Sequence, residues 1–308
     1  MASMLRLGYE STMELRQLRT FEMVAEYGSF TLVARELRIS QPAVSAQMQA
    51  LENELGVRLL ERLPRQVLLT PAGEVLHDYA RRLLNLEFEA QRALSELRGS
   101  QDSSLRLGAS PTIGAYVLPQ MLADFKRQYP ALRLIAEIRA TYYVAEALQA
   151  HAIDVGLVEA AVDSDALVVE TFLNDELVLT VPAGHPWAGR TSVAPAELQG
   201  QPLVAREPGS GGRMLVEESL RALGVEIVPL LELGGIEAIK NAVLAGLGIA
   251  FISRHAIKAE ERLGTLVAVA VEGLDLRRPF YCLQRRELYV SPVIRAFLDL
   301  VRQARQQA

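Results

Sequence analysis

The strongest periodic signal in the chain lies between Gln41 and Leu55, where Val44, Met48, Leu51 and Leu55 recur at i, i+4, i+7 and i+11. At 3.6 residues per turn these four share one face, which predicts a helix with a single buried stripe. Leu15, Leu18, Phe21 and Ala25 predict a helix ahead of it, and Phe30, Val33, Ala34 and Leu37 predict a shorter one between them. Ile39 and Ser40 make the turn before the third helix. Ser40 is placed to cap that helix, and Pro42 suits its first turn, where a missing amide costs nothing. Beyond it, Val57 to Leu60 and Gln66 to Leu69 alternate like two short strands around a tip that holds Arg62, Pro64 and Arg65. This order is that of a winged helix-turn-helix.

Pro71 directly after Thr70 marks the start of a further helix, capped by Thr70. Its apolar positions, Leu76, Tyr79, Leu83, Leu86, Ala90, Ala93 and Leu97, alternate at steps of three and four, the a/d seam of a coiled coil. Two readings are open: the seam pairs two copies of the chain, or it packs on its own domain. The helix ends at Gly99-Ser100, and a polar run to Ser104 follows as a hinge.

From Leu105 onward short apolar runs alternate with helical stretches. Strands are predicted at Leu105–Ala109, Leu132–Ile138, Val155–Val158, 176–181, 202–204, 227–231 and 249–252. Helices are predicted at Leu118–Gln128, Val144–Ala150, 212–223 and 236–245. This alternation predicts α/β architecture with parallel sheets and right-handed crossovers. A return strand at Phe280–Leu283 and a last helix from Pro292 divide the region into two subdomains, with crossovers near 170–176 and 273–279. Ligands of such sheets sit beyond the carboxyl ends of the strands, here between the subdomains.

The polar residues then add chemistry to this frame. Opposite its apolar stripe the third helix carries Gln41, Ser45 and Gln49, where a solvated helix would carry Glu and Lys. Uncharged hydrogen-bonding groups near a helix N-terminus suit the reading of base edges, and the amides there suit a phosphate. The string Ser40-Gln41-Pro42-Ala43-Val44-Ser45 is followed by Ala50-Leu51-Glu52, Leu55-Gly56 and Leu69-Thr70-Pro71-Ala72-Gly73. In this order and spacing the segment resembles the LysR-type transcriptional regulators. It departs from them at Ala46, where many members have Arg, so more of the DNA contact falls to Gln41, Pro42, Ser45 and the wing. The candidate DNA-contacting residues are Ser29, Thr31, Arg35, Ser40, Gln41, Pro42, Ser45, Gln49, Arg62, Arg65 and Thr70.

The second half resembles the effector domain of the same family, which is similar in fold to periplasmic solute-binding proteins. Gly156-Leu157-Val158-Glu159, the loop Arg206–Arg213, and Glu237-Ala238-Ile239-Lys240-Asn241-Ala242-Val243 with Gly246-Leu247-Gly248-Ile249-Ala250 look like the subgroup regulating carbon fixation and sulfur or nitrogen assimilation. Ser110-Pro111-Thr112 follows one strand with two hydroxyls. Glycines 209, 211 and 212, Ser210 and Arg213 follow another with open amides and a positive charge, and this combination favours an anion. By itself the glycine run reads equally as a flexible turn, and no Gly-Lys-Ser/Thr is present to make it a nucleotide loop. The resemblance maps effector contacts to Ser110, Thr112, Thr141, Glu159, Ser210 and Arg213. Two departures stand out. Gly235-Ile236 replaces a common hydroxyl residue, and Glu159 puts an acid beside the expected anion unless it pairs with Arg213 or takes a ligand hydroxyl or ammonium.

The implied domains are an extension at 1–12, a DNA-binding domain at 13–71, a dimerisation helix at 72–99 using Leu76, Tyr79, Leu83, Leu86, Ala90 and Leu97, and an effector domain at 104–308. Its subdomain I covers about 104–172 and 277–308, and subdomain II about 173–276. The implied partners are double-stranded DNA, a small anionic metabolite, a second copy in a homodimer that pairs further into a homotetramer, and RNA polymerase. No cofactor or metal is expected.

Composition sets limits on other functions. The net charge of −5 does not argue against DNA, because eight arginines and eight acids cancel within residues 1–70 while Arg35, Arg38, Arg62 and Arg65 surround the third helix. No apolar run reaches the length of a membrane span and no signal peptide opens the chain, so a cytoplasmic protein is expected. Cys282 is alone, in an apolar strand, and reads as a packed residue. Four scattered histidines offer no metal-ligand spacing and no catalytic constellation. An effector-independent DNA-binding protein is the alternative that composition leaves open; a solute-binding protein fits residues 105–308 alone.

Overall fold

The computed structural model describes residues 13–63, 66–97, 104–286 and 290–307. Contacts divide the chain into two units, one holding residues up to 98 together with 150–152, and the other holding 99–149 and 153–308.

In the first unit α1 (Leu15–Tyr27), α2 (Phe30–Leu37) and α3 (Gln41–Leu55) precede a ribbon of β1 (Leu60–Leu63) and β2 (Gln66–Leu69), and α4 (Pro71–Leu97) follows. Ser29 caps α2 and Ser40 caps α3, each side chain accepting an amide of the first turn. Val44, Met48 and Leu51 are fully buried against Leu18, Phe21, Val24 and Val33. On α1 the buried stripe is Leu18, Phe21 and Val24; Leu15 faces out and Ala25 is only half-buried, which shifts the predicted face by one position.

The first wing strand starts at Leu60, three residues later than the alternation predicts. Gly56 ends α3 with φ 68°, and the Glu52 carboxylate accepts the amides of both Leu59 (2.8 Å) and Leu60 (3.1 Å), so residues 57–59 are held outside the ladder. That ladder runs antiparallel from Leu60↔Leu69 to Leu63↔Gln66. Thr70 ties the wing to α4: its hydroxyl donates to the Arg58 carbonyl (2.7 Å) and accepts the Gly73 amide (3.0 Å). A Cβ on Gly73 would lie 2.1 Å from the Leu59 carbonyl oxygen, so only glycine permits this approach. Gly73→Ala is therefore expected to cost about 1–3 kcal/mol, as overpacking does. Chemical denaturation of this unit would measure it, and an unchanged midpoint would contradict the close approach.

The second unit is built on one eight-stranded sheet. Its first part places β4 (Arg133–Ile138), β3 (Ser104–Ala109) and β5 (Val155–Val158) side by side and parallel. The connecting helices α5 (Pro111–Tyr116), α6 (Leu118–Gln128) and α7 (Thr141–Gln149) complete the βαβ pattern. Next comes β6 (Leu167–Pro182), a single 16-residue strand. The rest is β7 (Ser192–Val193), β8 (Leu203–Arg206), α8 (Gly211–Ala222), β9 (Pro229–Leu233), α9 (Ile236–Leu244), β10 (Ala250–Ser253), α10 (Arg254–Leu263), β11 (Leu266–Val271), β12 (Arg277–Arg285) and α11 (Pro292–Gln307).

The sheets are mixed, not purely parallel as predicted. β12 pairs antiparallel with β5 and with the Leu167–Glu176 part of β6, while β10 and β11 flank the rest of β6, also antiparallel. Of the crossovers expected near 170–176 and 273–279, the first lies inside the continuous strand β6 and the second at the start of β12. Separate cores lie on the two sides of this ribbon. Leu107, Phe125, Leu157, Phe280 and Phe297 form one; Leu179, Val181, Trp187, Leu203 and Leu220 form another, extended by Ile239, Val243 and Ile257. Cys282 is buried in β12, and burial pushes its thiol up to about 12, which agrees with a packing role.

Candidate functional site

Two surfaces collect the sequence-predicted residues. On the first unit, Gln41, Pro42 and Gln49 of α3 are exposed, and Ser45 between them is half-buried. Gln49 donates its amide to Asn53 at 3.1 Å, which orients it along the helix. α3 is docked by Thr20 of α1, whose hydroxyl donates to Gln47 at 2.8 Å. Thr31 and Arg35 are exposed on α2, and the Ser29 and Ser40 hydroxyls serve their helix caps. The single donor of Thr70 is spent on the Arg58 carbonyl. Arg65, residues 1–12 and the Gly99-Ser100 hinge lie outside the described residues, as do the side chains of Arg62 and Leu97.

Along α4, Tyr79 (60% exposed), Leu83 (40%) and Leu86 (48%) form an uncovered apolar row that continues to Ala90. Leu76 does not belong to it. It packs on the winged-helix core with Ala72, Ala80 and Leu84. Val75 (61% exposed) takes its place in the row. One helix therefore serves two apolar faces, the inner one fastened by Arg19 of α1 to Glu87 at 3.1 Å.

In the second unit a cavity of about 610 Å³, part of it open to solvent, lies between the carboxyl ends of strands and α8. Thr112, Glu159, Ser210 and Arg213 line it, as the resemblance implied. Ser110 and Thr141 do not. Ser110 caps α5 and is buried, its hydroxyl without a hydrogen-bond partner, and Thr141 begins α7 away from the wall. Glu159 does not pair with Arg213 but with Arg278 of β12 (3.0 Å), while also accepting the Thr112 amide (2.9 Å). Arg278 in turn binds the buried Asp175 of β6 at 2.9 Å, and Ser253 donates to the same carboxylate at 2.6 Å. Arg213 is not an open charge. Its guanidinium binds Glu217 (2.6 Å) and Glu232 (2.7 Å), and both bonds raise its pKa further.

The lining residues that the sequence did not single out are Arg278, Ser253 and Glu217, together with an apolar wall that includes Leu177, Leu203, Val216, Ile227 and Phe251. Arg206 also lines the cavity, held bidentately by Glu207 (2.6 and 2.8 Å), a bond that raises its pKa. Arg213–Glu217 is legible as an i, i+4 pair, but Arg278 lies more than a hundred residues from its partners and carries no local signal.

At one side of the cleft Tyr116 of α5 reaches the core of the second subdomain. Its hydroxyl donates to Glu237 at 2.5 Å, and Lys240 below it bridges Glu237 (3.0 Å) and Glu260 (2.7 Å). Burial and the Glu237 bond both raise the Tyr116 pKa, so this donor keeps its proton at all ordinary pH. Burial alone would lower the Lys240 pKa, but Glu260 and Glu237 outweigh it and raise it.

Among the described residues no group of His, Cys, Asp and Glu could hold a metal ion, and no helix is long and apolar enough to cross a membrane. The profile of the bacterial regulatory helix-turn-helix protein, lysR family, matches residues 15–74, and that of the LysR substrate binding domain matches 98–306. The RuBisCO operon transcriptional regulator of Allochromatium vinosum is 35% identical over 287 residues, 93% of this chain and 95% of that protein. The crystal structure of full-length CbnR complexed with its target DNA superposes with a TM-score of 0.73 at 26% identity, covering 95% of this chain and all of that one. The regulatory domain of CcmR from Synechocystis PCC6803, solved in complex with 2-PG, has a TM-score of 0.61 at 26% identity over 67% of this chain and 98% of its own.

Proposed function

The chain belongs to the LysR family of DNA-binding transcriptional regulators, and from that premise we propose that a small anionic metabolite in its cleft modulates operator binding or promoter activation. It is a regulator with a helix-turn-helix and an effector-binding domain, not an enzyme. The observation that carries the effector reading is the convergence of Thr112, Ser210, Arg206 and Arg278 on one cavity, with the open N-terminus of α8 among them. The 2-PG complex of the CcmR domain supports it. Bound ligand favours whichever cleft geometry it fits better, and that difference is what DNA binding senses.

In this reading α3 enters the major groove with Gln41, Ser45 and Gln49 at the base edges. Ser29, Thr31, Arg35, Ser40, Pro42, Arg62, Arg65 and Thr70 lie along the backbone. The exposed row on α4 pairs two copies, so that a near-palindromic operator meets a homodimer, which assembles further into a homotetramer and contacts RNA polymerase. The protein works in the cytoplasm and needs no cofactor besides its effector.

Titrating operator and random DNA separately tests the reading helix. Gln41→Ala is expected to lose about 1–3 kcal/mol on operator and little on random sequence. Equal losses on both would remove α3 from the base edges. For the effector, operator footprints should change when a binding anion is added, and an unchanged footprint with an occupied cleft would favour the effector-independent alternative.

A further inference from the structure

The cavity wall has a charge balance and a polarity that narrow the effector beyond "anion". Three guanidinium groups line it, and each is already bound: Arg206 by Glu207, Arg213 by Glu217 and Glu232, Arg278 by Asp175 and Glu159. Of the five carboxylates that hold these guanidiniums only Glu159 and Glu217 line the cavity, so the wall itself carries a formal balance of +1. One negative charge offsets that balance, whereas a second would meet only guanidiniums already held by carboxylates. One carboxylate can instead be held by neutral donors, the Ser210 hydroxyl and the first amides of the 12-residue helix α8, with Arg278 or Arg206 sharing a proton.

Away from that polar rim the wall is hydrocarbon. Leu177 comes from β6, Leu203 from β8, Val216 from α8, Phe251 from β10, and Ile227 from the approach to β9. A ligand covered with hydroxyl or phosphate oxygens would bury them against these side chains without partners, which is costly. An aliphatic body gains there in proportion to the area it hides.

Resting on the anionic-effector reading, we propose that the cleft takes a monoanion with an apolar body, a monocarboxylate of short aliphatic or similar hydrocarbon character, in preference to a phosphorylated or otherwise polyanionic metabolite. Ser210 and the α8 N-terminus hold the carboxylate, and Ile227 and its neighbours cover the body.

Calorimetry on the full-length protein at fixed ionic strength, with acetate, butyrate, hexanoate, sulfate and 2-phosphoglycolate, tests this. Affinity is expected to rise about fourfold per methylene, so roughly 16-fold from acetate to butyrate, while 2-phosphoglycolate binds more weakly than butyrate. In Ile227→Ser the butyrate-to-acetate ratio should fall at least fourfold with acetate affinity unchanged, and Ile227→Val should keep most of the ratio. A flat series, or 2-phosphoglycolate binding tighter than butyrate, overturns this inference and leaves the anion reading standing. If none of these anions binds, the anion reading itself fails, and this inference fails with it.

Discussion

Replacing Leu83 and Leu86 together with glutamate is expected to convert the protein to a monomer and to abolish operator binding, while the winged helix stays folded. Both side chains are more than a third exposed on their own chain, so neither supports the first unit's core, which is closed on the other face of α4 by Leu76, Ala80 and Leu84. Pairing two copies would bury the 40–48% of four such leucines that is still exposed, and at about 1.5–3 kcal/mol for complete burial of each their loss removes about 3–5 kcal/mol. Four carboxylates facing one another across the same strip add an uncompensated charge penalty. Together these amount to at least about a thousandfold loss in association. DNA binding follows because one helix-turn-helix contributes half the contacts of a two-site operator. Light scattering on the eluted variant decides it: a surviving dimer would place the interface elsewhere. Val75→Glu offers an independent reading of the same face. The heptad count passes over Val75, yet it stands exposed in the row, so Val75→Glu should weaken the dimer, whereas Leu76→Glu should unfold the unit.

That contrast between Val75 and Leu76 shows where the sequence was legible and where it was not. α2 and α3 were readable because each has one apolar stripe at a fixed period, the body of α4 because its stripes keep that period, and Ser40 and Thr70 mark the starts of α3 and α4. Periodicity cannot say which of two adjacent stripes meets the chain's own core, so Leu76 fell on the wrong one. The start of β1 was misplaced for a different reason: Glu52, seven residues earlier, takes the amides that alternation assigned to a strand. β6 was read as the short strand 176–181 after a crossover near 170–176, whereas one strand runs through Asn174, Asp175 and Glu176. Each of these is satisfied from far away. Asp175 meets Ser253 and Arg278, Glu176 meets Arg254, and the Asn174 carbonyl meets His255. The same long separations hid Arg278 from the candidate site, and Glu232, nineteen residues from Arg213, gives no local signal of the pair they make.

Arg278→Met is accordingly expected to be the most damaging single change in the effector unit. The Asp175 side chain has no solvent exposure and Arg278 is its only cationic partner among the described residues, with Ser253 as a neutral donor. Methionine keeps much of the arginine stem but not the guanidinium that covers the Phe280 ring at 5.5 Å. What is lost is the cation, leaving the Asp175 carboxyl buried with only Ser253 beside it and Glu159 facing the cavity with only the Thr112 amide. Removing one member of a buried pair costs about 3–5 kcal/mol, far more than the pair itself is worth. For a unit of roughly 200 residues, at about 2–4 °C per kcal/mol, the melting point should fall by about 10 °C. The second substitution separates this cause from simple loss of packing. Asp175→Asn in the Arg278→Met background removes the stranded carboxyl and still accepts from Ser253, so it should recover a large part of the loss. If the double variant is as unstable as Arg278→Met alone, the electrostatic account of the β6–β12 ribbon is wrong, and the packing of Arg278 against Phe280 must carry the stability instead.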